Sequence, residues 1–363
     1  MKASVVTRPI GEWLGKRAEP IIISGPCSAE TEEQTLATAK QLAATGKVHA
    51  LRAGIWKPRT RPGQYEGAGE PGLAWLVKAG KETGLPVATE VANATHVEAC
   101  LKAGVQILWV GARTTVNPFS VQEIADSLAG VDIPVMVKNP VNPDLELWIG
   151  AIERLNKAGI TKMAAIHRGF SSSDKGPFRN APMWEMPIEL KTRFPELDII
   201  CDPSHITGNR ELIALISQKA LDMNMAGLMI ESHITPDAAW SDAKQQVTPA
   251  VLGKIVTELV VRQVSSESAE FKNELSLLRE KIDRLDDHIL SKLSERMRIS
   301  EVMGQYKKDN HVTVLQVKRW EEIITTRIAI GKALGLSEDF TRELLKLIHI
   351  ESIQIQTDVM NRN

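Results

Sequence analysis

Short apolar, β-branched runs alternate with longer amphipathic runs from residue 20 to about residue 264. Several of the amphipathic runs end in Gly, the residue preferred just after the C-terminus of a helix, so these runs are predicted helices. The predicted strands between them are PIIISGPC, VHALRAGIW, PVATEV, VQILWVGAR, PVMVKNP, KMAAIHRG, DIICDPSH and GLMIESHI.

This alternation predicts the fold class of the first domain. Eight strands, each followed by a helix over roughly 245 residues, match a (β/α)₈ TIM barrel. An open doubly wound sheet could also alternate, but the sequence has no Gly-rich dinucleotide fingerprint after the first strand. We therefore expect an α/β barrel domain over residues 1–264.

The periodicity changes near residue 265, where Ser and Glu replace the strand-like residues. Apolar residues then recur at alternating steps of four and three, the spacing of a helix that packs along its length on another helix. These residues are Phe271, Leu275, Leu278, Ile282, Leu285 and Ile289. Continued to about Lys308, the helix would be about 60 Å long, too long to bury this stripe against itself.

Two further helices are predicted over roughly Leu315 to Lys332 and Ser337 to Asn361. Gly331 and Gly335 are the predicted stops, and Ser337 is the predicted N-cap because two acidic residues follow it. Three helices with one exposed seam predict an all-α domain over residues 265–363 that dimerises through its helices.

Composition and charge narrow the class of protein. The 363 residues are 43% apolar and 25% charged, which is ordinary for a soluble globular protein. The 44 Lys and Arg residues are balanced by 45 Asp and Glu residues, whereas proteins that bind nucleic acid or a membrane surface normally carry a basic excess. Since the sequence has no signal-peptide core, we expect a cytoplasmic protein that binds neither. The three cysteines suggest free thiols or a ligand.

Charged, titratable or ligating side chains follow almost every predicted strand. In a barrel of this kind the active site lies at the C-terminal ends of the strands, so these side chains would share one rim. A single Arg or Lys there is usually a solvated loop residue, and a single Cys or His is more often a core residue, but several on one rim favour a binding site. The residues are Cys27, Arg52, Lys57, Arg59, Arg113, Lys138, His167, Arg168, Asp202, His205 and Glu231.

Two kinds of ligand are suggested by this rim. A mixed set of Cys, His, Glu and Asp suits one divalent metal ion such as Mn²⁺, Fe²⁺, Co²⁺ or Zn²⁺. The cations crowded into LRAGIWKPRTRPG, residues 51–63, suggest an anionic ligand in a chain that is otherwise nearly neutral. The sequence spacing of the metal-binding types is too wide for a motif, so only the predicted barrel brings them together.

Short motifs in a fixed order carry a resemblance to a known family. They are SGPCS, KPRT, GARTT, VKN, HRG, CDPSH and ESHITPDAAWSD. Together they resemble 3-deoxy-D-arabino-heptulosonate 7-phosphate (DAHP) synthase of type I, β subgroup, over about residues 20–260. The resemblance implies a metal site formed by Cys27, His205, Glu231 and Asp242.

The same resemblance implies where two anionic substrates bind. The implied phosphoenolpyruvate contacts are Arg52, Lys57, Arg113, Lys138 and Arg168. The implied erythrose 4-phosphate contacts are Arg59 and Thr60, and Lys57 is the candidate proton donor. The two substrates bring about five negative charges, and burying these unpaired would cost many kcal/mol, which explains the cations.

The implied reaction is an aldol-like condensation in which a metal ion acts as a Lewis acid on the aldehyde. The main alternative for the barrel is a 3-deoxy-manno-octulosonate 8-phosphate (KDO8P) synthase, which carries out similar chemistry on arabinose 5-phosphate. Because that family has an Asn-containing segment in place of KPRT, the sequence favours the four-carbon aldose.

The segment LSLLREKIDRLDDHILSKLSERMRISEVMGQYK resembles the first helix of the all-α chorismate mutase fold, and the resemblance extends from about Lys272 to the end. The implied contacts to chorismate or prephenate are Arg279, Arg296, Lys307, Arg319, Ser352 and Gln356. Arg296 and Lys307 would project from one helix face about 16 Å apart, whereas Arg279 is about 25 Å from Arg296 and turned by about 100°. An antiparallel partner helix could deliver Arg279, which predicts a site shared between two chains.

Two positions depart from the mutase pattern. Gln316 stands where the family usually has an acid, and Trp320 stands where it has Glu. The rearrangement of chorismate to prephenate needs no nucleophile, only cations that hold the folded dianion. Because a lost acidic contact would weaken catalysis, a second hypothesis makes the tail a chorismate or prephenate sensor that regulates the synthase. A nucleic-acid-binding tail is disfavoured, since acids interleave its basic residues.

Overall fold

Eight parallel strands close into a barrel in the computed structural model of the protein. The structure describes residues 5–15, 20–57, 63, 65–173, 176–263 and 265–362. The chain forms two compact units, Met1–Val264 and Ser265–Asn363. The barrel lies in the first unit, and the second is helical.

The strands are short and buried on both faces, as expected for a parallel sheet covered by helices. They are β1 Ile21–Gly25, β2 Ala50–Arg52, β3 Val87–Val91, β4 Ile107–Val110, β5 Val135–Lys138, β6 Met163–His167, β7 Asp198–Cys201 and β8 Gly227–Glu231. Each strand pairs with the next in chain order, and the ring closes where Ile21 of β1 pairs with Gly227 of β8 and Gly25 pairs with Glu231. The predicted (β/α)₈ barrel is confirmed.

Most helices of the first unit connect the strands and pack on the outside of the barrel, whereas the first helix precedes β1. In the first unit they are α1 Ile10–Trp13, α2 Glu32–Ala44, α3 Glu70–Thr83, α4 Ala94–Ala103, α5 Ala112–Thr115, α6 Pro118–Ser127, α7 Leu145–Lys157, α8 Glu185–Arg193, α9 Pro203–Thr207, α10 Ile213–Asp222 and α11 Pro249–Glu258. Thr31 and Asn93 cap the N-termini of α2 and α4 with their side chains. Gly84 and Gly104 follow α3 and α4 in the left-handed conformation, which glycine adopts without steric cost.

Two apolar layers stabilise the barrel. One fills the interior and includes Ile23 and Trp109, and the other lies between strands and helices and includes Leu42. Helix α1 contributes Ile10 to the interior layer, and its N–H donates to Asp198 Oδ2 at 2.7 Å at the start of β7. Helix α1 was not predicted from the sequence, because one turn is too short to show a periodicity.

The second unit contains three helices, as predicted. They are α12 Ala269–Asp309, α13 Val317–Ala333 and α14 Glu338–Asn361. Ser337 caps α14 by accepting the Phe340 N–H at 3.2 Å. The prediction that Gly331 ends α13 is wrong, since Gly331 lies within the helix. Its lack of a side chain lets α13 approach α14 closely, because a Cβ there would be 2.6 Å from Thr341 Oγ1, and Gly335 is the left-handed residue beyond the helix.

The predicted apolar seam of α12 is exposed in the single chain. Leu278, Ile282, Leu285 and Ile289 are each more than half exposed. A continuous row of large apolar side chains on a surface is typical of an interaction site. It does not mark a membrane span: among the residues the structure describes, every helix is too short or too polar for one.

Gly227 lies where β8 pairs with β1, and a Cβ there would be 2.2 Å from the Ile21 carbonyl oxygen. We expect Gly227→Ala to lower the free energy of unfolding by about 1–3 kcal/mol, because the backbone has to shift. Gly253→Ala in α11 is the matched control, since its Cβ would meet nothing closer than 3.5 Å and alanine is favoured in a helix. Chemical denaturation followed by circular dichroism measures both, and equal stabilities would contradict the expectation.

Candidate functional site

A cavity of about 310 Å³ lies at the C-terminal ends of the barrel strands, which we call the rim. Parallel strands place their carboxyl ends on one side of a barrel, so residues distant in sequence meet there. The charged and polar residues that line the cavity are Lys57, Glu90, Arg113, Lys138, Arg168, Arg179, Asn180, His205 and Asp242. Most of the cations that the sequence analysis placed on the rim are therefore neighbours.

Three predicted metal ligands lie close together beside this cavity. Cys27 follows β1, Glu231 ends β8, and Asp242 lies in the loop after β8 with a φ of 49°. Their ligand atoms all lie within 4.8 Å of one another, and Cys27 Sγ is 3.3 Å from Asp242 Oδ2. Cys27 and Glu231 are fully buried. The pairing of β1 with β8 brings the first two together.

His205, the fourth predicted ligand, lies in α9, just after β7. Its Nε2 is 3.7 Å from Glu231 Oε1, so the imidazole faces the same donors. The ring Nδ1 of His205 is 2.8 Å from Asp202 Oδ2, and the backbone N–H of His205 donates to Asp202 Oδ1 at 3.1 Å. One carboxylate thus orients both the ring and the backbone of His205. A buried thiol, an imidazole nitrogen and two carboxylates fit a divalent transition metal ion.

Hydrogen bonds connect the loop after β1 with the loop after β8. Gln246 accepts the Cys27 N–H at 2.9 Å and donates to the Ser241 carbonyl oxygen at 2.9 Å. The hydroxyls of Ser28 and Ser241 lie 2.8 Å apart. These hydrogen bonds fix the distance between Cys27 and Asp242, because they join Cys27 and its neighbour Ser28 to the segment around Ser241, the residue before Asp242.

Two residues of the cavity, Arg179 and Glu90, were not predicted from the sequence. Arg179 NH1 donates to Asp242 Oδ1 at 2.9 Å and to Gln245 Oε1 at 2.6 Å. It lies in a loop without periodicity, so no sequence signal marked it. Glu90 accepts from Trp109 Nε1 at 2.8 Å, and here the signal was a charged residue inside the apolar strand PVATEV.

Arg52 and Lys57 contact the proposed metal ligands directly. Arg52 NH1 is 2.8 Å from Glu231 Oε1, and its guanidinium lies over the Trp109 ring, 4.9 Å from the centroid. Lys57 Nζ lies 3.0 Å from Cys27 Sγ. Arg52 is only 2% exposed, so its pairing with a carboxylate is needed to offset the cost of burying its charge.

The remaining predicted phosphoenolpyruvate contacts lie across the cavity. Lys138 Nζ is 2.9 Å from Asp202 Oδ2, and Arg168 and Arg113 both line the wall. Burial lowers the pKa of Arg168 to about 10, and the nearby Arg179 adds to this effect. Burial and the nearby Arg179 thus make the charge of Arg168 costly, and an anionic ligand in the cavity would offset that cost.

Burial and neighbouring charges shift the pKa values of the proposed metal ligands. Burial, with help from Glu231, raises the pKa of the Cys27 thiol to about 12. Burial opposes ionisation of Asp242, but Arg179 and His205 outweigh it and hold the pKa of that carboxyl below its usual range. Burial also lowers the pKa of His205. At neutral pH, therefore, the thiol is protonated, the imidazole is neutral and the carboxylate is ionised.

The predicted erythrose 4-phosphate contacts Arg59 and Thr60 lie outside the residues that the structure describes. The segment before them is held by Lys57, whose N–H donates to the Glu66 carbonyl oxygen at 2.7 Å. Next to it, the Trp56 ring stacks on His96 with centroids 3.9 Å apart. These two contacts fix the near end of the KPRT segment.

A second cavity, of about 240 Å³, lies in the helical unit. Five of the predicted chorismate contacts line it, namely Arg296, Lys307, Arg319, Ser352 and Gln356. Lys307 Nζ donates to Gln356 Oε1 at 2.9 Å, and Arg296 donates to the Ser352 hydroxyl. Arg279 lies far along α12 with its side chain exposed, as its spacing predicted.

Both positions that depart from the mutase pattern, Gln316 and Trp320, line the second cavity. Trp320 stacks on His349 with centroids 4.0 Å apart and ring planes 14° apart. Burial, together with Arg296 and Lys307, lowers the pKa of His349. An uncharged aromatic pair thus forms the wall where an acid was expected.

Two families match this chain, one for each unit. Residues 4–266 match the DAHP synthetase I family. Residues 278–357 match the chorismate mutase type II family. The first match ends close to residue 265, where the periodicity of the sequence changes, and the second begins within the helical unit.

Several known proteins are similar to parts of the chain. A phospho-2-dehydro-3-deoxyheptonate aldolase of Thermotoga maritima is 32% identical over 238 residues, which are 66% of this chain and 68% of that protein. A crystal structure of the Thermotoga maritima enzyme superposes with a TM-score of 0.60 at 29% identity, covering 67% of this chain and 68% of that one. A 2-dehydro-3-deoxyphosphooctonate aldolase of Polaromonas naphthalenivorans is 24% identical over 70% of this chain and 94% of its own. The bifunctional chorismate mutase/prephenate dehydratase of Escherichia coli is 30% identical over 25% of this chain and 24% of its own.

Metal binding should release a proton from Cys27. With a pKa of about 12 the free thiol is protonated at pH 7.5, whereas a metal-bound cysteine is a thiolate. We expect Zn²⁺ binding at pH 7.5 to release about one proton, because His205 is already neutral and Asp242 already ionised. Calorimetric titrations in buffers of different ionisation enthalpy measure the release. Cys27→Ser should abolish it and Cys100→Ser, a buried cysteine on α4, should not; release that persists in Cys27→Ser would disprove the assignment.

Proposed function

This chain belongs to the DAHP synthetase I family, and we propose that its barrel condenses phosphoenolpyruvate with erythrose 4-phosphate with the help of one divalent metal ion. With its chorismate mutase domain, the chain is a bifunctional enzyme of the shikimate pathway. The proposed boundary between the two catalytic domains is near residue 265, and we propose a cytoplasmic location, which suits three free cysteines.

One observation carries the proposal for the barrel: the ligand atoms of Cys27, Glu231 and Asp242 converge within 4.8 Å beside a cavity lined by cations. We assign these three residues and His205 as the metal ligands. The donor set admits Mn²⁺, Fe²⁺, Co²⁺ or Zn²⁺. When bound, the metal supplies Lewis-acid polarisation of the aldehyde oxygen.

The cations of the cavity would bind and orient phosphoenolpyruvate. Arg113, Lys138 and Arg168 face the cavity and match its carboxylate and phosphate oxygens, and an arginine fork fixes orientation as well as charge. The methylene carbon of phosphoenolpyruvate then bonds to the aldehyde carbon, water adds at C2, and phosphate leaves. Lys57 Nζ, 3.0 Å from Cys27 Sγ, lies between the metal ligands and the cavity, where it can donate a proton to the new hydroxyl oxygen.

The four-carbon aldose is favoured over arabinose 5-phosphate as the second substrate. The deoxyheptonate aldolase relative is 32% identical to this chain, whereas the phosphooctonate aldolase of Polaromonas naphthalenivorans is 24% identical. The family match agrees, and we propose that Arg59 and Thr60 of the KPRT segment bind the phosphate of erythrose 4-phosphate.

For the helical domain we propose a chorismate site completed by a second copy of the chain. Arg296, Lys307 and Arg319 supply positive charge to the cavity in α12 and α13. Arg279 cannot reach that cavity from its own helix because it is about 25 Å from Arg296 along the axis. The exposed seam of α12 supports an antiparallel pairing that would deliver it, so the protein would be at least a dimer.

A second role, sensing of chorismate or prephenate, has its own support. Gln316 and Trp320 replace the acids of the mutase pattern within the cavity, while the cations that hold a dianion remain. Such a site retains ligand binding more readily than transition-state stabilisation. The two roles are compatible, since one site can turn over its ligand and also regulate the synthase.

Removing the metal should abolish the synthase activity. We expect treatment with EDTA to stop release of phosphate from phosphoenolpyruvate and erythrose 4-phosphate, and divalent ions added back singly should restore it to different extents. Mutase activity in the same sample is the internal control, because the rearrangement requires no metal. A synthase rate unchanged after complete chelation would refute the four-ligand proposal.

Mixing two inactive variants should restore mutase activity. Arg296→Ala and Arg279→Ala should each lower kcat/KM for chorismate by about 10²-fold or more, since each removes a cation from the site. A mixed dimer of the two variants contains one site with both arginines, so activity should return on mixing and subunit exchange. Synthase activity should persist in both variants. No recovery in a demonstrated mixed dimer would show that the site is not shared.

A further inference from the structure

We propose that Asp202 is a further functional residue, which connects the metal site with the phosphoenolpyruvate site so that each ligand strengthens binding of the other. This rests on the proposed function, because it takes His205 as a metal ligand and Lys138 as a phosphoenolpyruvate contact. Asp202 itself would touch neither ligand. It is therefore a positioning residue that acts through its two neighbours.

The carboxylate of Asp202 is shared between two side chains that serve different ligands. It lies directly after β7 and is 0% exposed. Oδ2 is 2.9 Å from Lys138 Nζ and 2.8 Å from His205 Nδ1. Oδ1 accepts the His205 N–H at 3.1 Å, and the Asp202 N–H donates to the His167 carbonyl oxygen at 2.7 Å. These contacts place the carboxylate between the lysine and the histidine.

The same sharing of charge recurs at other proposed ligands. The Glu231 carboxylate is 2.8 Å from Arg52 NH1, and the Asp242 carboxylate is 2.9 Å from NH1 of Arg179, another cation of the cavity. In the protein without ligands, the anionic metal-binding groups and the cations for phosphoenolpyruvate thus neutralise each other. Binding of either ligand alone disturbs this balance, and binding of the other restores it. The charges therefore favour joint binding of a divalent cation and an anion.

Asp202 gives this coupling a direct route. Phosphoenolpyruvate offsets the charge of Lys138, after which the Asp202 carboxylate acts on His205 alone. A carboxylate beside the outer nitrogen of a metal-ligating histidine orients the ring and raises the basicity of the ligating nitrogen. Metal affinity should therefore rise when phosphoenolpyruvate binds. Linkage requires that the metal raise the affinity for phosphoenolpyruvate by the same factor.

The size of the effect can be separated into two parts. We expect a coupling factor of about 5- to 150-fold in the unaltered protein. Direct attraction between the metal and phosphoenolpyruvate contributes and does not depend on Asp202. Asp202→Asn keeps the shape and an oxygen acceptor for the His205 N–H but removes the charge, so the coupling factor should fall by about 2-fold or more, to the part that direct attraction contributes.

The experiment measures two affinities of the full-length protein, each with and without the other ligand, and without erythrose 4-phosphate. Cd²⁺ affinity is obtained from the ultraviolet absorption band of a cadmium–thiolate bond. Affinity for phosphoenolpyruvate is obtained from tryptophan fluorescence, since the Trp109 ring centroid lies 5.7 Å from Lys138 Nζ. The two ratios of dissociation constants should agree, and both should shrink in Asp202→Asn.

Asp198→Asn is the matched control, because Asp198 starts the same strand and accepts the Ile10 N–H at the other end of the barrel. It should leave the coupling factor at the value of the unaltered protein. A factor of one in the unaltered protein would overturn the inference whether or not Asp202→Asn folds. An unchanged factor in folded Asp202→Asn would overturn the role of Asp202. If Cd²⁺ or phosphoenolpyruvate does not bind at all, the proposed function itself fails.

Discussion

The pairing of β8 with β1 is the constraint on which the rest of the barrel depends. It closes the ring, and it sets Cys27 and Glu231 side by side although they come from opposite ends of the domain sequence. The register of this pairing is as important as the pairing itself. Because Gly25 pairs with Glu231, the register fixes where the side chains of Cys27 and Glu231 lie along the barrel axis. Gly227 permits the close approach of the two backbones at the other end.

Closure of the barrel also buries charged side chains, and the site offsets the desolvation cost by pairing opposite charges. Arg52 and Asp202 are both buried, and each would be costly to desolvate alone. Their partners, Glu231 and Lys138, satisfy them without any ligand. A site built in this way is preorganised for a cation and an anion together, since its own groups already occupy opposing positions.

The sequence predicted the barrel and most of the rim because both depend on repeated patterns. Strand ends are recognisable where an apolar run stops at a charged residue, as at Lys138 and Glu231, and the barrel rule then places them together. Contacts made by irregular loops left no such trace. Arg179 lies in a loop between β6 and α8, and its contact with Asp242 depends on a backbone path that no periodicity encodes.

In the helical domain, a glycine and an aromatic residue also adopt arrangements that could not be predicted from the sequence. Glycine often marks the end of a helix, but Gly331 lies within α13. It is needed there for packing, because α14 passes too close for a side chain. The departure at Trp320 was visible in the sequence, but its stacking on His349 was not, since the two belong to different helices. Long-range packing decides such positions, and local propensity does not.

The buried pair of Arg52 and Glu231 has a consequence for how this barrel can evolve. Replacing either residue by a neutral one would strand the other charge in a site 2% or less exposed, at a cost of about 3–5 kcal/mol. That cost is a large part of the stability of an ordinary domain. Neither residue can therefore be replaced alone by a neutral one without a large loss of stability. The two positions should change together in evolution, although they lie far apart in the sequence of the domain.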